Sequence, residues 1–184
     1  MAVLCLLITC GVGSVYGTDD AYDFDANGIT KISGPSTGAV SSSSANFVFT
    51  SKTGNTTDSW TIAFTGDTFF GYGKGNGVNF GANSKSNKYP PHATLTSKSY
   101  SNVTAVVVGY SGANTSVTIA VSVGGTSFGS TTTSSGTSHT FSHAATTGAV
   151  AISVESSTNG QIRINNVTIT YSSGSTYTVV YLMH

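Results

Sequence analysis

The side chains able to do acid–base or metal chemistry are few and scattered. The chain has seven acidic and four histidine side chains in 184 residues. After Asn27 the carboxylates are Asp58, Asp67 and Glu155. A two-carboxylate glycosidase needs both acids facing one cleft. Asp67 with Glu155 is the one pair that can be constructed, and nothing in the local pattern places them together. His139 and His143 offer two metal nitrogens, but no third ligand is near them in sequence, so they read as solvated surface. Serines are abundant, yet no G-x-S-x-G elbow in a strand–turn–helix context occurs. The expectation is a chain that is not an enzyme.

Two other stretches have ligand-like composition. Asp23, Asp25, Asn27 and Gly28 match the first half of a D-x-D-x-N-G calcium loop, which would set three oxygen ligands around a hard cation. The twelfth position, which should be Glu, is Gly34, and no flanking helices are visible. The plainer reading is an outward-facing edge strand followed by an Asn-Gly turn. The second stretch, 66–92, mixes glycines with aromatics and amides. Sugars present both apolar ring faces and hydroxyls, so a glycan site needs flat rings beside hydrogen-bonding groups. Here those are Tyr72, Phe80 and Tyr89 with Lys74, Asn76, Asn79 and Asn83. The competing reading is one or two short strands whose aromatics plug the core edge. Gly73-x-Gly75-x-Gly77 is not a phosphate loop, because no Lys-Ser/Thr and no helical pattern follows.

The elements that must carry these residues read as strands. Val117, Ile119, Val121 and Val123 alternate with small polar residues until Gly124-Gly125 supplies a two-residue hairpin turn. Val150, Ile152 and Val154 alternate likewise. Ile162 and Ile164 are even, whereas Val167, Ile169 and Tyr171 are odd. One inserted residue restores a common inward face, which predicts a β-bulge at Asn165-Asn166. Segments 46–50 and 59–65 read as strands joined by a turn over 52–58, with Trp60 in the core. Segments 93–97 and 102–110 read as two strands, 140–142 as a short strand, and 156–160 as a hairpin turn.

Composition bounds the rest. Hydrophobic residues are 38% and charged residues 8%, so polar surface comes from hydroxyls, as on many extracellular β-proteins. Formal net charge is zero and the basic residues are scattered, which argues against a nucleic-acid partner. Residues 1–17 form an apolar run ending in Val15-Tyr16-Gly17, the small-x-small pattern of a signal peptide. Both cysteines, Cys5 and Cys10, lie inside it, so a mature chain has no disulfide framework. Leu7-Ile8-Thr9-Cys10 also resembles a lipobox, which would make Cys10 a lipid anchor. No later stretch is long and apolar enough to span a membrane. Residues 18–172 read as one β-sandwich module. Residues 173–184 read as a linker and the first strand of a following domain, as in a truncated larger protein.

The runs FGYGKGNGVNFG, ATLTSKSYSNVTAVVVGYSGANTSVTIAVSVGGTSFGS, TFSHAATTGAVAISVE and QIRINNVTITY resemble a β-sandwich module of secreted Bacteroidetes-type proteins. The resemblance covers about residues 20–172. In such proteins the module sits beside other extracellular domains, among them nucleases, peptidases and sugar-active enzymes. The tail YTVVYLMH is similar to the first strand of internalin B-repeat-type surface repeats. The resemblance implies export and a jelly-roll-like fold, and it carries over no catalytic residue.

The sequence therefore predicts an all-β, antiparallel two-sheet sandwich, secreted or on the cell surface. Its expected role is to bind glycan without catalysis, or to pack against neighbouring domains. An accessory domain of an extracellular enzyme and a structural spacer are the alternatives. The expected ligand residues are Tyr72, Lys74, Asn79, Phe80 and Tyr89. No cofactor is expected beyond the calcium alternative at Asp23, Asp25 and Asn27.

Overall fold

The architecture is that of a computed structural model describing residues 17–25, 28–75, 77–83, 88–113, 115–134 and 137–173. The opening segment up to residue 16, Asn27, Asn76 and the tail from 174 lie outside the described residues.

Every regular element among the described residues is a strand. In chain order they are β1 (Thr18–Asp23), β2 (Thr30–Ser33), β3 (Gly38–Val40), β4 (Phe47–Thr53), β5 (Thr56–Phe64), β6 (Thr68–Gly73) and β7 (Gly77–Phe80). Then come β8 (Ala82–Asn83), β9 (Lys88–Tyr89), β10 (His92–Ser111), β11 (Val117–Val123), β12 (Thr126–Thr133), β13 (Ser138–Glu155) and β14 (Ile162–Tyr171). All pairings are antiparallel.

Two layers emerge from the pairing. The first runs β2-β4-β5, then the opening half of β10, the closing half of β13, β11 and β12. The second runs from the opening half of β13 through the closing half of β10 to β14. Beyond β14 lie β1 at one end and β7-β6-β3 at the other. β10 and β13 pass through both layers, so twelve strands form one curled hydrogen-bonded sheet. The corner lies at 96–105 of β10, where the β10–β13 register shifts three times and Asn102 takes φ 50°. Bulges bend a strand and raise its twist, which is what a strand crossing between layers requires.

Aromatic rings pack between the layers. Tyr22 meets Trp60 at 5.1 Å, Phe24 meets Phe49 at 5.4 Å, and Phe70 meets Phe47 at 4.8 Å and Phe64 at 5.2 Å. Trp60 is fully buried, as its strand pattern predicts. Period-two alternation supplies the rest: β11 buries Val117, Ile119, Val121 and Val123 and turns the residues between them outward.

The bulge in β14 is where parity places it. Gly109 pairs with Asn166 and Tyr110 with Ile164, so Asn165 is the extra residue. Ile162, Ile164, Val167 and Ile169 are fully buried, and Tyr171 packs against the same core. Other boundaries differ from the sequence reading. The β4–β5 turn is only Gly54-Asn55. Segments 93–97 and 102–110 are halves of one strand, and 140–142 belongs to β13. Segment 156–160 is not a hairpin turn, because β10 lies between β13 and β14. It is an arch between layers, held to the 89–91 segment by Ser156 N→Pro91 O and Gly160 N→Tyr89 O. Turn composition is the same for an arch and a hairpin, so sequence alone does not separate them.

Candidate functional site: a cleft on the outer face of the second layer

The cleft is built by a cross-strand row. Gly71 of β6 stands opposite Asn79 of β7, and Asn79 opposite Arg163 of β14. Arg163 alternates with the buried Ile162 and Ile164, so the inward pull of its neighbours turns it outward. Asn79 is placed by the same logic between Val78 and Phe80. Thr37, Phe69, Tyr72 and Gln161 complete the lining.

Local geometry fixes the walls. The Gly81 amide donates to Phe69 O at 2.8 Å and to Thr68 Oγ1 at 3.1 Å, which holds the β6 segment bearing the Phe69 ring. Gly81 has φ +76°, and a Cβ there would lie 2.1 Å from Gly160 O, so the arch can approach only a glycine. That approach brings Gln161 to the cleft, where its Nε2 donates to Asn79 Oδ1 at 2.6 Å. Gly71 forms the floor because it has no side chain.

The polar groups here are incompletely satisfied. Arg163 Nε is buried and has no hydrogen-bond partner among the described residues. Buried donors of this kind are rare and costly in native folds. The cleft volume is about 190 Å³, below the roughly 300 Å³ of an enclosing small-molecule pocket. It suits the face of a flat ligand lying on the sheet. A part-exposed ring, a primary amide pair, a hydroxyl and a guanidinium can together contact apolar ring faces and hydroxyls.

The expected ligand residues separate in space. Tyr72 and Asn79 share this cleft, although the Tyr72 ring packs on Phe47 at 4.6 Å and Phe70 at 5.6 Å. Phe80 must be corrected: it is fully buried, shares the inward face with Val78, and has no surface to offer a ligand. Lys74 is exposed on the β6–β7 turn and does not line the cleft. Tyr89 lines a neighbouring cleft with Asp67, Ser41 and Ser44, its ring 6.4 Å from Phe69. Sequence reasoning missed Thr37, Phe69, Gln161 and Arg163. For Arg163 and Phe69 the signal was available, since period two turns both outward.

The residues singled out for acid–base or metal chemistry are also placed. Asp67 and Glu155 line different clefts. Glu155 accepts instead from His92, with Nδ1 and Oε2 2.5 Å apart, and from the Thr65 hydroxyl at 2.6 Å. His139 and His143 are exposed and lie against Phe141 and Phe128. Asp23 Oδ1 accepts from the Asp25 amide at 3.0 Å, an Asx-type turn. No group of three or more His, Cys, Asp or Glu able to hold a metal occurs among the described residues.

A second polar cluster lies between β1, β5, β10 and β14. The Tyr22 hydroxyl donates to Asp58 at 2.6 Å, so its 2.5 Å contact with Tyr100 must be donated by Tyr100. Lys98 Nζ reaches Asp58 at 2.8 Å and Asp20 at 3.5 Å, and lies 5.1 Å from the Tyr100 ring centre. Burial, then the hydrogen bonds to Asp58 and Tyr100, pushes the Tyr22 hydroxyl far above the ordinary tyrosine value. Burial raises Tyr100 as well. Burial pulls the Lys98 ammonium down, but Asp58 and Asp20 outweigh it and leave the group raised.

No protein-family model matches this sequence, and no curated protein matches it. Two chains among solved structures match. One is the N-terminal part of Clostridium thermocellum endo-1,4-β-D-xylanase 10B, comprising CBM22-1 and GH10 modules and complexed with xylohexaose. The identity is 12% and the TM-score 0.34, over 90% of this chain and 30% of that one. This chain thus spans less than a third of that protein's length, and no residue correspondence is drawn.

Proposed function

We propose that this chain is a non-catalytic glycan-binding β-sandwich whose site is the cleft on the outer face of β6, β7 and β14. The observation that carries the reading is the convergence of Phe69, Asn79, Gln161 and Arg163 over a glycine floor. In this reading Phe69 covers the apolar face of a sugar ring. The Asn79 and Gln161 amides, with the Thr37 hydroxyl, meet the ring hydroxyls. Tyr72 closes one wall and carries little stacking, since its ring packs on Phe47 and Phe70. Export is part of the proposal and rests on the apolar opening segment 1–17, with polysaccharide outside the cell as the partner. No metal is required by this reading; the Asp23–Asp25 turn remains the place to look for a calcium contribution.

The test is affinity electrophoresis through gels containing single polysaccharides. The wild type is retarded in at least one gel, and Asn79→Ala is retarded measurably less there. Absence of retardation in every gel, or retardation indifferent to Asn79→Ala, refutes the proposal.

A further inference from the structure

The cleft has an electrostatic peculiarity that a neutral sugar does not use. Arg163 is the single arginine of the chain. All seven carboxylate side chains lie on described residues. Glu155 pairs with His92, and Asp20 and Asp58 pair with Lys98; among the described residues no carboxylate pairs with Arg163. The groups facing it across the row are the Asn79 amide on β7 and Ser111 on β10, both neutral. Yet Arg163 lines the cleft, its Nε buried and without a hydrogen-bond partner among the described residues. A guanidinium presents its donors in a rigid planar fork that matches carboxylate and sulfate oxygens. A cross-strand acid would stabilise an arginine on a sheet face. This one is held among neutral donors and acceptors, with its charge uncompensated.

We infer that the ligand of this cleft is an anionic glycan, whose carboxylate or sulfate group binds Arg163 while a ring of the same chain lies on Phe69. This rests on the glycan-binding reading and specifies the charge of its ligand. Asn79 serves the anion as well, because its Nδ2 has no protein partner among the described residues and stands over the Gly71 floor. The rest of the surface does not supply a general polyanion site. Net charge is zero, and Lys31, Lys52, Lys74 and Lys88 are spread over separate strands and turns.

The test uses two matched pairs of polymers in affinity gels: polygalacturonate with its carboxyl-reduced form, and dextran sulfate with dextran. Each pair shares a backbone and differs in charge. The inference predicts retention by one charged member well above its neutral counterpart, and the pair that responds tells carboxylate from sulfate. Arg163→Gln should weaken that retention about tenfold or more. Lys52→Gln, the same change of charge on β4 of the other layer, should leave it unchanged. Equal losses in the two variants would mean diffuse charge attraction and overturn the inference. If a neutral polymer is retained as well as its charged partner, and Asn79→Ala weakens this while Arg163→Gln does not, the anionic ligand is refuted and the glycan reading survives. If none of the four polymers is retained, both fail.

Discussion

Two polar clusters in this sandwich contrast sharply. The cluster of Tyr22, Asp58, Tyr100 and Lys98 is closed: each group has a partner within the chain, and its one cation meets both Asp58 and Asp20. The cleft of Asn79, Gln161 and Arg163 is open: the Asn79 and Gln161 amides meet, but a buried guanidinium donor has no partner among the described residues. The cleft sits on strands of the second layer, and the closed cluster joins β1 of that layer to β5 of the other. The difference lies in what they are completed by. A closed network holds β1, β5 and β10 together and gains nothing from a ligand. An open one keeps unmet hydrogen-bonding capacity, which is the physical form a binding site takes before it is filled.

The comparison is most strongly broken by Asp58→Ala. Asp58 is 12% exposed and Lys98 40%, so the lysine can turn to water but the Tyr22 hydroxyl loses its acceptor. We expect a stability loss of about 2–3 kcal/mol, at the low end for a broken buried pair. Urea denaturation measures it, and glycan retention by the folded variant should be unchanged.

The next effect is alkaline. Unfolded tyrosine ionises near 10.0, and the folded values of Tyr22 and Tyr100 lie above it. Their stabilisation is complete below that pH. It is lost as pH rises, because the unfolded chain releases protons that the folded one keeps. Urea midpoints should therefore fall through the alkaline range, and the fall should be shallower in Tyr22→Phe. An equal fall in both proteins would remove Tyr22 from the account.

Cleft variants should show the opposite signature. Asn79→Ala removes one hydrogen-bonding group from a part-exposed position. It should lower glycan affinity by about 1 kcal/mol or somewhat more while stability stays within about 0.5 kcal/mol of wild type. Gly71→Ala is the mildest change. A Cβ there meets Thr37 Cγ2 at 3.6 Å and Asn79 at 3.8 Å, ordinary van der Waals contacts. The fold should accept it, and affinity should drop only a few-fold as the floor rises.

Much of this was written locally in the chain. The shift from Ile164 to Val167 announces the bulge because side-chain parity is an unforgiving constraint. Arg163 between two isoleucines announces an outward cation. What shares its face is not local: Asn79 and Phe69 reach it only through the β14–β7–β6 pairing. Phe80 was misplaced because the glycines around 71–81 suggest a loop and obscure the alternation with Val78. The corner of β10 was read as a gap between two strands, since no Gly or Pro marks it. There the bulges follow from wrapping one layer over the other, a tertiary demand with no sequence signature of its own.

The central claim is that the open cleft binds glycan and the closed cluster does not. Its most direct measurement is affinity electrophoresis of Phe69→Ala beside Tyr22→Phe, each with a thermal melt. The account predicts that Phe69→Ala melts close to wild type and loses retardation, while Tyr22→Phe melts earlier and keeps it. Retardation preserved in Phe69→Ala, in a gel that retards the wild type, would contradict it.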